Sequence, residues 1–277
     1  MNHHVSNLVT LAINYFKPVF FKTRYYISVC CIVKDENEYL KEWLSYHLKV
    51  GVQHFFIYDN GSVVPIQQTI EQLGLSKQVT VISFPGTSKQ VEAYRHCLRN
   101  FGSLSQWIAF IDVDEFIVPK SKPNDLAQFL RKFEPYGGLG INWLLFGSAG
   151  HQAKSKEPQL KRFTLRSKND FSVNRHIKSI VQPKYVRIVR DPHSFKYIIG
   201  KYCVNEKFVR IDGPFADVSV ETIQINHYFC RSLEEYVEKI KRGRADDANI
   251  QRSLEQFRGS DKYANDIEDK TILAIID

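Results

Sequence analysis

Two kinds of apolar pattern alternate along the chain from residue 27 onward. Short continuous apolar runs predict buried strands, and stretches with apolar residues at three- and four-residue steps predict amphipathic helices. The first four predicted strands cover residues 27–33, 52–58, 79–84 and 107–111, with a helix in each interval. This alternation is typical of βαβ units, so we expect an α/β fold with a Rossmann-like, mostly parallel sheet flanked by helices. Ligands of such sheets bind beyond the carboxyl ends of the strands.

The alternation of predicted strands and helices becomes less regular in the second half of the chain. A helix is predicted over 124–133 and strands over 138–146, 177–181, 186–189 and 223–226. Residues 147–175 are rich in Lys and Arg and predict a long cleft-lining loop or a hairpin. A last helix is predicted from Ser232, where Glu235 completes a capping box, to Gly243. We expect three parts: a basic and aromatic segment (1–26), one domain (27–260) and a loosely held acidic tail (261–277).

Composition narrows the class of protein. The chain has 277 residues, of which 25% are charged and 43% hydrophobic, which is typical of a soluble globular protein. The net charge of +8 favours an anionic partner such as phosphate, nucleic acid or a lipid surface. The five cysteines show neither disulfide nor metal spacing, which indicates reduced thiols and a cytoplasmic location. No apolar run reaches the roughly 18 residues of a membrane-spanning helix.

The first 34 residues contain no acidic side chain, although they carry Lys17, Lys22, Arg24 and Lys34. Aromatic residues lie among these cations. One interpretation is peripheral attachment to the inner face of an anionic membrane. The other is an N-terminal helix packed on the domain. Both alternatives stay open.

The strongest candidate for chemistry follows the fourth predicted strand. Alternation along an extended chain points Asp112 and Asp114 to the same side. Two neighbouring carboxylates favour a bridging cation, and oxygen ligands suit Mn²⁺ or Mg²⁺, which complete their shell with substrate phosphates. The alternative is a solvated acidic turn, but the position at a strand's carboxyl end favours a metal that holds a diphosphate leaving group.

Several blocks together resemble a known family. They are residues 31–40, 58–62, 111–116, 142–151, 178–181 and 226–235, which include Asp35, Asp59, the Asp112–Asp114 motif and His227. They are similar to the motifs of bacterial family 2-type glycosyltransferases, and most similar to glycosyltransferase family 92. The resemblance implies a GT-A fold with a smaller acceptor-side extension, a nucleotide-diphosphate sugar donor, most simply a UDP-sugar, and a divalent metal.

The resemblance also implies roles for individual residues. Asp114 is expected to be the more direct metal ligand, with Asp112 and His227 completing the site, although a lone histidine is often structural. Asp35 and Glu38 can serve the nucleotide or simply cap a helix. The predicted nucleotide-binding residues are Lys34, Asp35, Asp59, Asp112, Lys178, His193, Lys241 and Arg242. Lys239, Lys241, Arg242 and Arg244 can neutralise the diphosphate, or they can simply complement the helix dipole.

The implied reaction is an inverting transfer to a glycan or lipid-linked glycan, in which a carboxylate accepts the acceptor's proton. The candidate bases are Glu115, Glu157, Asp170 and Asp191. Lys161 stands where the family pattern has an acid, which leaves base and acceptor unassigned. Two other functions are a nucleotidyltransferase acting on sugar phosphates and a basic nucleic-acid-binding protein. The loop at residues 34–37 lacks the glycines of the first, and the chain lacks the motifs of the second, so we expect no nucleic-acid partner.

Overall fold

The computed structural model describes residues 23–121, 125–245 and 249–276. The strands are β1 (Tyr25–Val33), β2 (His54–Asp59), β3 (Val79–Ser83), β4 (Ser105–Phe110), β5 (Glu115–Pro119), β6 (Gly138–Leu145), β7 (Leu165–Arg166), β8 (Ile177–Val181), β9 (Val186–Val189), β10 (Phe195–Tyr197), β11 (Cys203–Val204), β12 (Arg210–Ile211), β13 (Ile223–His227) and β14 (Ile267–Glu268). The helices are α1 (Asn37–Lys49), α2 (Ile66–Gln72), α3 (Gln90–Phe101), α4 (Leu126–Leu130), α5 (Gln159–Arg162), α6 (Leu233–Arg242), α7 (Leu254–Asp261) and α8 (Leu273–Ile276).

One large sheet organises the molecule, in the order β12-β11-β6-β8-β4-β1-β2-β3. The strands β3, β2, β1 and β4 are parallel, as the periodicity predicts. β8 runs antiparallel to both β4 and β6, and β13 joins β6 to β5. The predicted α/β class with a mostly parallel sheet and flanking helices is confirmed. In the described part of the chain, no helix combines the length and the apolar character needed to cross a bilayer.

Side chains of β1 alternate between two cores. Val29 and Cys31 face the layer that contains Trp43 of α1. Cys30 faces the opposite layer, which contains Tyr94 of α3. Helices therefore cover both faces of the sheet, and β1 is buried on both sides, which explains its continuous apolar sequence.

The helix caps predicted at Ser232 and at Asp35 have different outcomes. Ser232 accepts a hydrogen bond from the Glu235 backbone and Glu235 bonds back, so the predicted start of α6 is confirmed. At α1, by contrast, the N-cap is Glu36 and makes no side-chain cap. Asp35 adopts a left-handed conformation, with φ of 52°, and its carboxylate accepts from the Val63 backbone instead. The capping role predicted for Asp35 is therefore wrong, because a neighbouring loop takes its carboxylate.

The C-terminal prediction also needs correction. β14 pairs with β7, and Asp269 forms a 2.8 Å ion pair with Arg166. Ile272 and Ile275 are buried in the main core. Residues 261–276 are thus packed against the segment predicted as a loop, rather than loosely held. Of the predicted N-terminal segment, residues 1–22 lie outside the described residues, whereas Tyr25 and Tyr26 begin β1.

Candidate active site

A cleft of about 490 Å³ opens at the carboxyl ends of β1 and β4. It is lined by Lys34 after β1, by Asp112 and Asp114 after β4, and by His227 at the end of β13. The C-terminal turn of α6 forms the opposite wall. The position agrees with the rule that ligands bind beyond the carboxyl ends of strands.

Asp112 is held by two fixed partners. One carboxylate oxygen accepts from the Gln90 amide at 2.8 Å, and the other accepts from the Lys178 ammonium at 2.8 Å. Lys178 is buried and also lies 3.5 Å from the Glu115 carboxylate. Burial alone lowers the pKa of Lys178, but Asp112 and Glu115 outweigh it and raise that pKa. Lys178 therefore remains charged beside Asp112.

Asp114 has a different environment. Its Oδ2 accepts from the Lys239 ammonium at 2.7 Å and lies 3.7 Å from His227 Nε2. Lys239 is buried and also donates to the Phe229 carbonyl at 2.8 Å. Burial works against ionisation of Asp114, yet the charge of Lys239 holds the pKa of Asp114 well below its usual range. Burial lowers the pKa of Lys239 and that of His227.

Strand pairing explains how residues distant in sequence meet here. The chain passes from Asp114 directly into β5, which pairs with β13 in antiparallel register. That register places His227 opposite Glu115, and the Tyr228 backbone donates to the Asp114 carbonyl at 2.8 Å. β5 was not predicted as a strand, although its apolar run after the acidic motif carried the signal.

The basic wall of the cleft consists of Lys241, Arg242, Arg244 and Arg252. Arg242 contacts Glu36, a buried carboxylate that also bonds Arg231 at 2.9 Å. Although burial opposes ionisation of Glu36, the two arginines lower its pKa. Glu36, which lines the cleft, was missed as a site residue, because the sequence cannot indicate that it meets Arg231 and Arg242. The pairing fixes the Arg242 guanidinium at the cleft's edge.

The other predicted nucleotide-binding residues divide into two groups. His193 lines the cleft, and its Nδ1 lies 2.9 Å from the Ile177 carbonyl. Burial lowers the pKa of His193 to about 3, so its ring is neutral. Asp59 does not line the cleft, because its two oxygens accept from the backbones of Ser62 and Ile66 and hold the turn after β2. Asp35 lies outside this cleft as well and lines a smaller neighbouring pocket.

None of the four candidate bases belongs to the described lining of the cleft. Glu115 is fully buried, accepts from the Asp112 backbone and has its pKa raised well above the usual range by burial. Asp191 accepts from the backbones of His193 and Ser194 and so shapes the turn between β9 and β10. Glu157 and Asp170 are exposed elsewhere. The structure therefore places none of the four predicted bases in the described lining of the cleft.

Comparison with known proteins shows which family the chain belongs to. The sequence profile described as glycosyltransferase family 92 matches residues 24–274. The chain belongs to glycosyltransferase family 92. A family 92 protein of Ricinus communis is 28% identical over 218 residues, covering 74% of this chain and 35% of that protein. One from Oryza sativa subsp. japonica is 27% identical over 217 residues, covering 77% of this chain and 35% of that protein.

The chain thus spans about a third of the length of these family 92 relatives. They are plant proteins and lend no support to the expected bacterial origin. A Pyrobaculum calidifontis mannosyltransferase in complex with GDP-Man and Mn²⁺ aligns with a TM-score of 0.35 and 13% identity, over 44% of this chain and 36% of that one. A Mycobacterium tuberculosis glucosyl-3-phosphoglycerate synthase with Mn²⁺, UDP-Glc and phosphoglyceric acid gives 0.30 and 16%, over 43% and 44%.

The fit of a divalent metal to this family 92 cleft rests on Asp114 and His227. An ionised carboxylate and a neutral imidazole are donors that suit Mn²⁺, and the two side chains face each other. Nδ1 of His227 is buried and has no hydrogen-bond partner among the described residues. No group of three or more His, Cys, Asp or Glu side chains converges in the described ranges, and both oxygens of Asp112 are engaged by Gln90 and Lys178. A divalent metal here would therefore have Asp114 and His227 as its protein ligands.

Proposed function

We propose that the protein is a metal-dependent glycosyltransferase of the GT-A type that moves a sugar from a nucleotide-diphosphate sugar to a glycan or lipid-linked glycan. The observation that carries the proposal is the Asp114–His227 pair facing a basic wall in one cleft. A carboxylate and an imidazole suit a divalent cation, and the wall supplies fixed positive charge for the diphosphate. Family membership supports the reaction class.

The nucleotide diphosphate is proposed to lie between the end of β1 and the basic wall. Lys34 lines the first side, and Lys241 and Arg242 line the second. Arg242 is oriented by Glu36, so its guanidinium loses little further freedom when it binds phosphate oxygens. Asp112, held by Gln90 and Lys178, offers a fixed polar edge for the ribose.

Asp114 and His227 would hold Mn²⁺ or Mg²⁺, which neutralises the diphosphate as it leaves. Lys239 shares the same Asp114 oxygen and keeps that carboxylate ionised whether or not the cation is bound. Trp143 lines the cleft within 4.3 Å of the His227 ring, measured between ring centroids, and can exclude water on that side.

Inversion is proposed with the acceptor hydroxyl attacking opposite the diphosphate. The base is proposed to come from outside the described lining of this cleft, since the three acids of the lining, Glu36, Asp112 and Asp114, are each paired with a lysine or an arginine. We propose likewise that the donor is a UDP-sugar, that a smaller extension binds the acceptor, and that the protein is cytoplasmic and contacts a membrane peripherally.

The test is calorimetric titration of UDP into the full chain with and without Mn²⁺, followed by a hydrolysis screen of UDP- and GDP-sugars. We expect binding that depends on Mn²⁺ and is lost in Asp114→Asn. Glu157→Gln is the matched control, because Glu157 is an exposed acid outside the cleft. Equal UDP binding with and without metal, or no hydrolysis of any nucleotide sugar, would contradict the proposal. Turnover of a sugar phosphate with a nucleoside triphosphate would favour a nucleotidyltransferase.

A further inference from the structure

Two turns expose large apolar side chains at the end of the sheet opposite the cleft. The first follows β10. There the Lys201 backbone donates to the Ile198 carbonyl at 3.0 Å, and Gly200 has a φ of 81°. Ile199 is fully exposed and Ile198 is 43% exposed. Central turn positions favour Gly, Pro, Asn, Asp or Ser, so an exposed isoleucine there is not explained by turn chemistry.

The second turn joins β11 to β12. The Asn205 side chain accepts from the Lys207 and Val209 backbones and closes it. Phe208 has a φ of 63°, a conformation that glycine or asparagine adopts more readily than an aromatic residue. Phe208 is nevertheless 45% exposed and Val209 58% exposed. The Phe208 ring also packs against Phe133 at 5.1 Å, so Val209 is the more exposed apolar side chain of this turn.

Aromatic contacts join the two turns into one surface. The Tyr136 ring lies 5.7 Å from Tyr202, which follows the first turn, and 5.8 Å from Phe208 in the second. Lys201 donates to the Pro135 carbonyl at 2.6 Å. We call this surface the turn patch and define it as Ile198, Ile199, Phe208 and Val209.

Basic side chains flank the first turn of the turn patch. Lys184 and Lys201 both lie over the Tyr185 ring, at 4.8 and 4.3 Å. Arg190 and Asp191 instead belong to the β9–β10 turn, whose residue His193 lines the cleft. In the second turn, Lys207 is paired with Glu221. The first turn is therefore complementary in charge to an anionic partner and apolar at its tip.

The chain enters the described fold beside the same patch. The Tyr26 hydroxyl, near the start of β1, donates to Glu134 at 2.9 Å, and Glu134 immediately precedes Pro135 and Tyr136. The basic and aromatic sequence of residues 1–22 is thus attached at the end of the molecule that carries the turn patch.

We propose that the turn patch and its flanking lysines dock on an anionic lipid bilayer. The apolar tips insert among the headgroups, and Lys184 and Lys201 contact lipid phosphates. The cleft lies at the carboxyl ends of β1 and β4, the opposite end of the sheet, and so faces away from the bilayer. The proposal is independent of the transfer reaction, because none of its residues lines the cleft.

The first experiment is co-sedimentation of the full chain with phosphatidylcholine vesicles, with and without phosphatidylglycerol, at low and high salt. We expect binding only to the anionic vesicles and weakening with salt. Ile199→Ser combined with Phe208→Asn should lower the vesicle-bound fraction by roughly tenfold or more. Val63→Ser is the matched control, since Val63 is 88% exposed but lies on the loop after β2.

A second experiment locates the contact. All five cysteines are buried, so a single surface thiol introduced by Ile199→Cys can be labelled with an environment-sensitive dye. We expect a blue shift on anionic vesicles, and none when the dye is attached through Val63→Cys. Vesicle binding that is unchanged by the double substitution, or a dye at position 199 that stays in water, overturns the proposal. So does binding to an oligonucleotide in place of vesicles, which would assign the cations to nucleic acid.

Discussion

The two aspartates of the cleft are separated by a single residue, yet they occupy different environments. Asp112 has both oxygens engaged, by Gln90 and by a lysine whose pKa is raised. Asp114 shares one oxygen between Lys239, whose pKa is lowered, and the neutral His227. Asp112 is thus fixed by two partners, whereas Asp114 is the carboxylate that we propose as the metal ligand.

The largest expected effect is on stability. Asp114→Ala leaves the Lys239 ammonium buried without its carboxylate, which costs about 3–5 kcal/mol in the free energy of unfolding. Combining it with Lys239→Met should recover most of that loss. Asp112→Ala should cost about 1–2 kcal/mol, since Glu115 still lies beside Lys178. Urea unfolding measures all three, and equal losses at positions 112 and 114 would contradict the comparison.

The second effect is on turnover. Asp114→Asn keeps the shape of the side chain but removes the charge, and should lower kcat/KM at least about 100-fold. Asp112→Asn should have a smaller effect, about tenfold, because its one remaining oxygen can still accept from Lys178 or from Gln90, although not from both. Steady-state kinetics with the preferred nucleotide sugar measures both. Interchanged magnitudes would assign the metal to Asp112 instead.

The third effect concerns the second proposed ligand. His227→Ala should weaken Mn²⁺ binding in the presence of UDP about tenfold or more, as followed by electron paramagnetic resonance of the free ion. His176→Ala is the control, because that ring also contacts Trp143 but does not line the cleft. A large loss of melting temperature with unchanged Mn²⁺ affinity would make His227 a purely structural residue.

The smallest expected effect is a dependence of the free energy of unfolding on pH. It is caused by His47, which contacts β5, the strand that follows Asp114. His47 lies 2.9 Å from the Trp43 carbonyl and accepts from the Ile117 backbone of β5, and burial lowers its pKa from 6.5 to about 3. The unfolded chain therefore binds a proton near pH 6 that the folded chain does not. The free energy of unfolding should fall by about 1 kcal/mol from about pH 6.5 to 5.5 on this account. An unchanged slope in His47→Gln would reject this assignment.

Local sequence patterns could predict much of the fold. The strands β1, β2 and β4 are mostly apolar because both of their faces are buried, and this leaves a clear signal, whereas the edge strand β3 is only partly buried. The capping box at Ser232 is correct because its two partners are three residues apart. Asp35 offers the same pattern, but Val63 takes its carboxylate, a tertiary contact that local sequence does not contain.

The candidate site was predictable only in part, for the same reason. The sequence pattern places Asp112 and Asp114 at the end of a strand, whereas only the family resemblance links His227 to them, because β5, the strand that pairs with β13, was not predicted. Local sequence does not indicate that Lys239 points inward to Asp114, because Lys241, on the same helix turn, lines the cleft wall instead. A cation near a helix end is expected on dipole grounds wherever it points. Only the packing of α6 shows which of the two is paired with Asp114.

The β5–β13 pairing also has a consequence for the order of synthesis and folding. Glu115 and His227 are paired across two neighbouring strands, although many residues are synthesised between them. The parallel unit from β1 to β4 can begin to form while the later residues are still being translated, since its contacts are closer in sequence. The Asp114–His227 pair forms only once residue 227 has emerged. A nascent chain that stalls before that point would contain the parallel strands β1 to β4 but neither His227 nor the basic residues that form the opposite wall of the cleft.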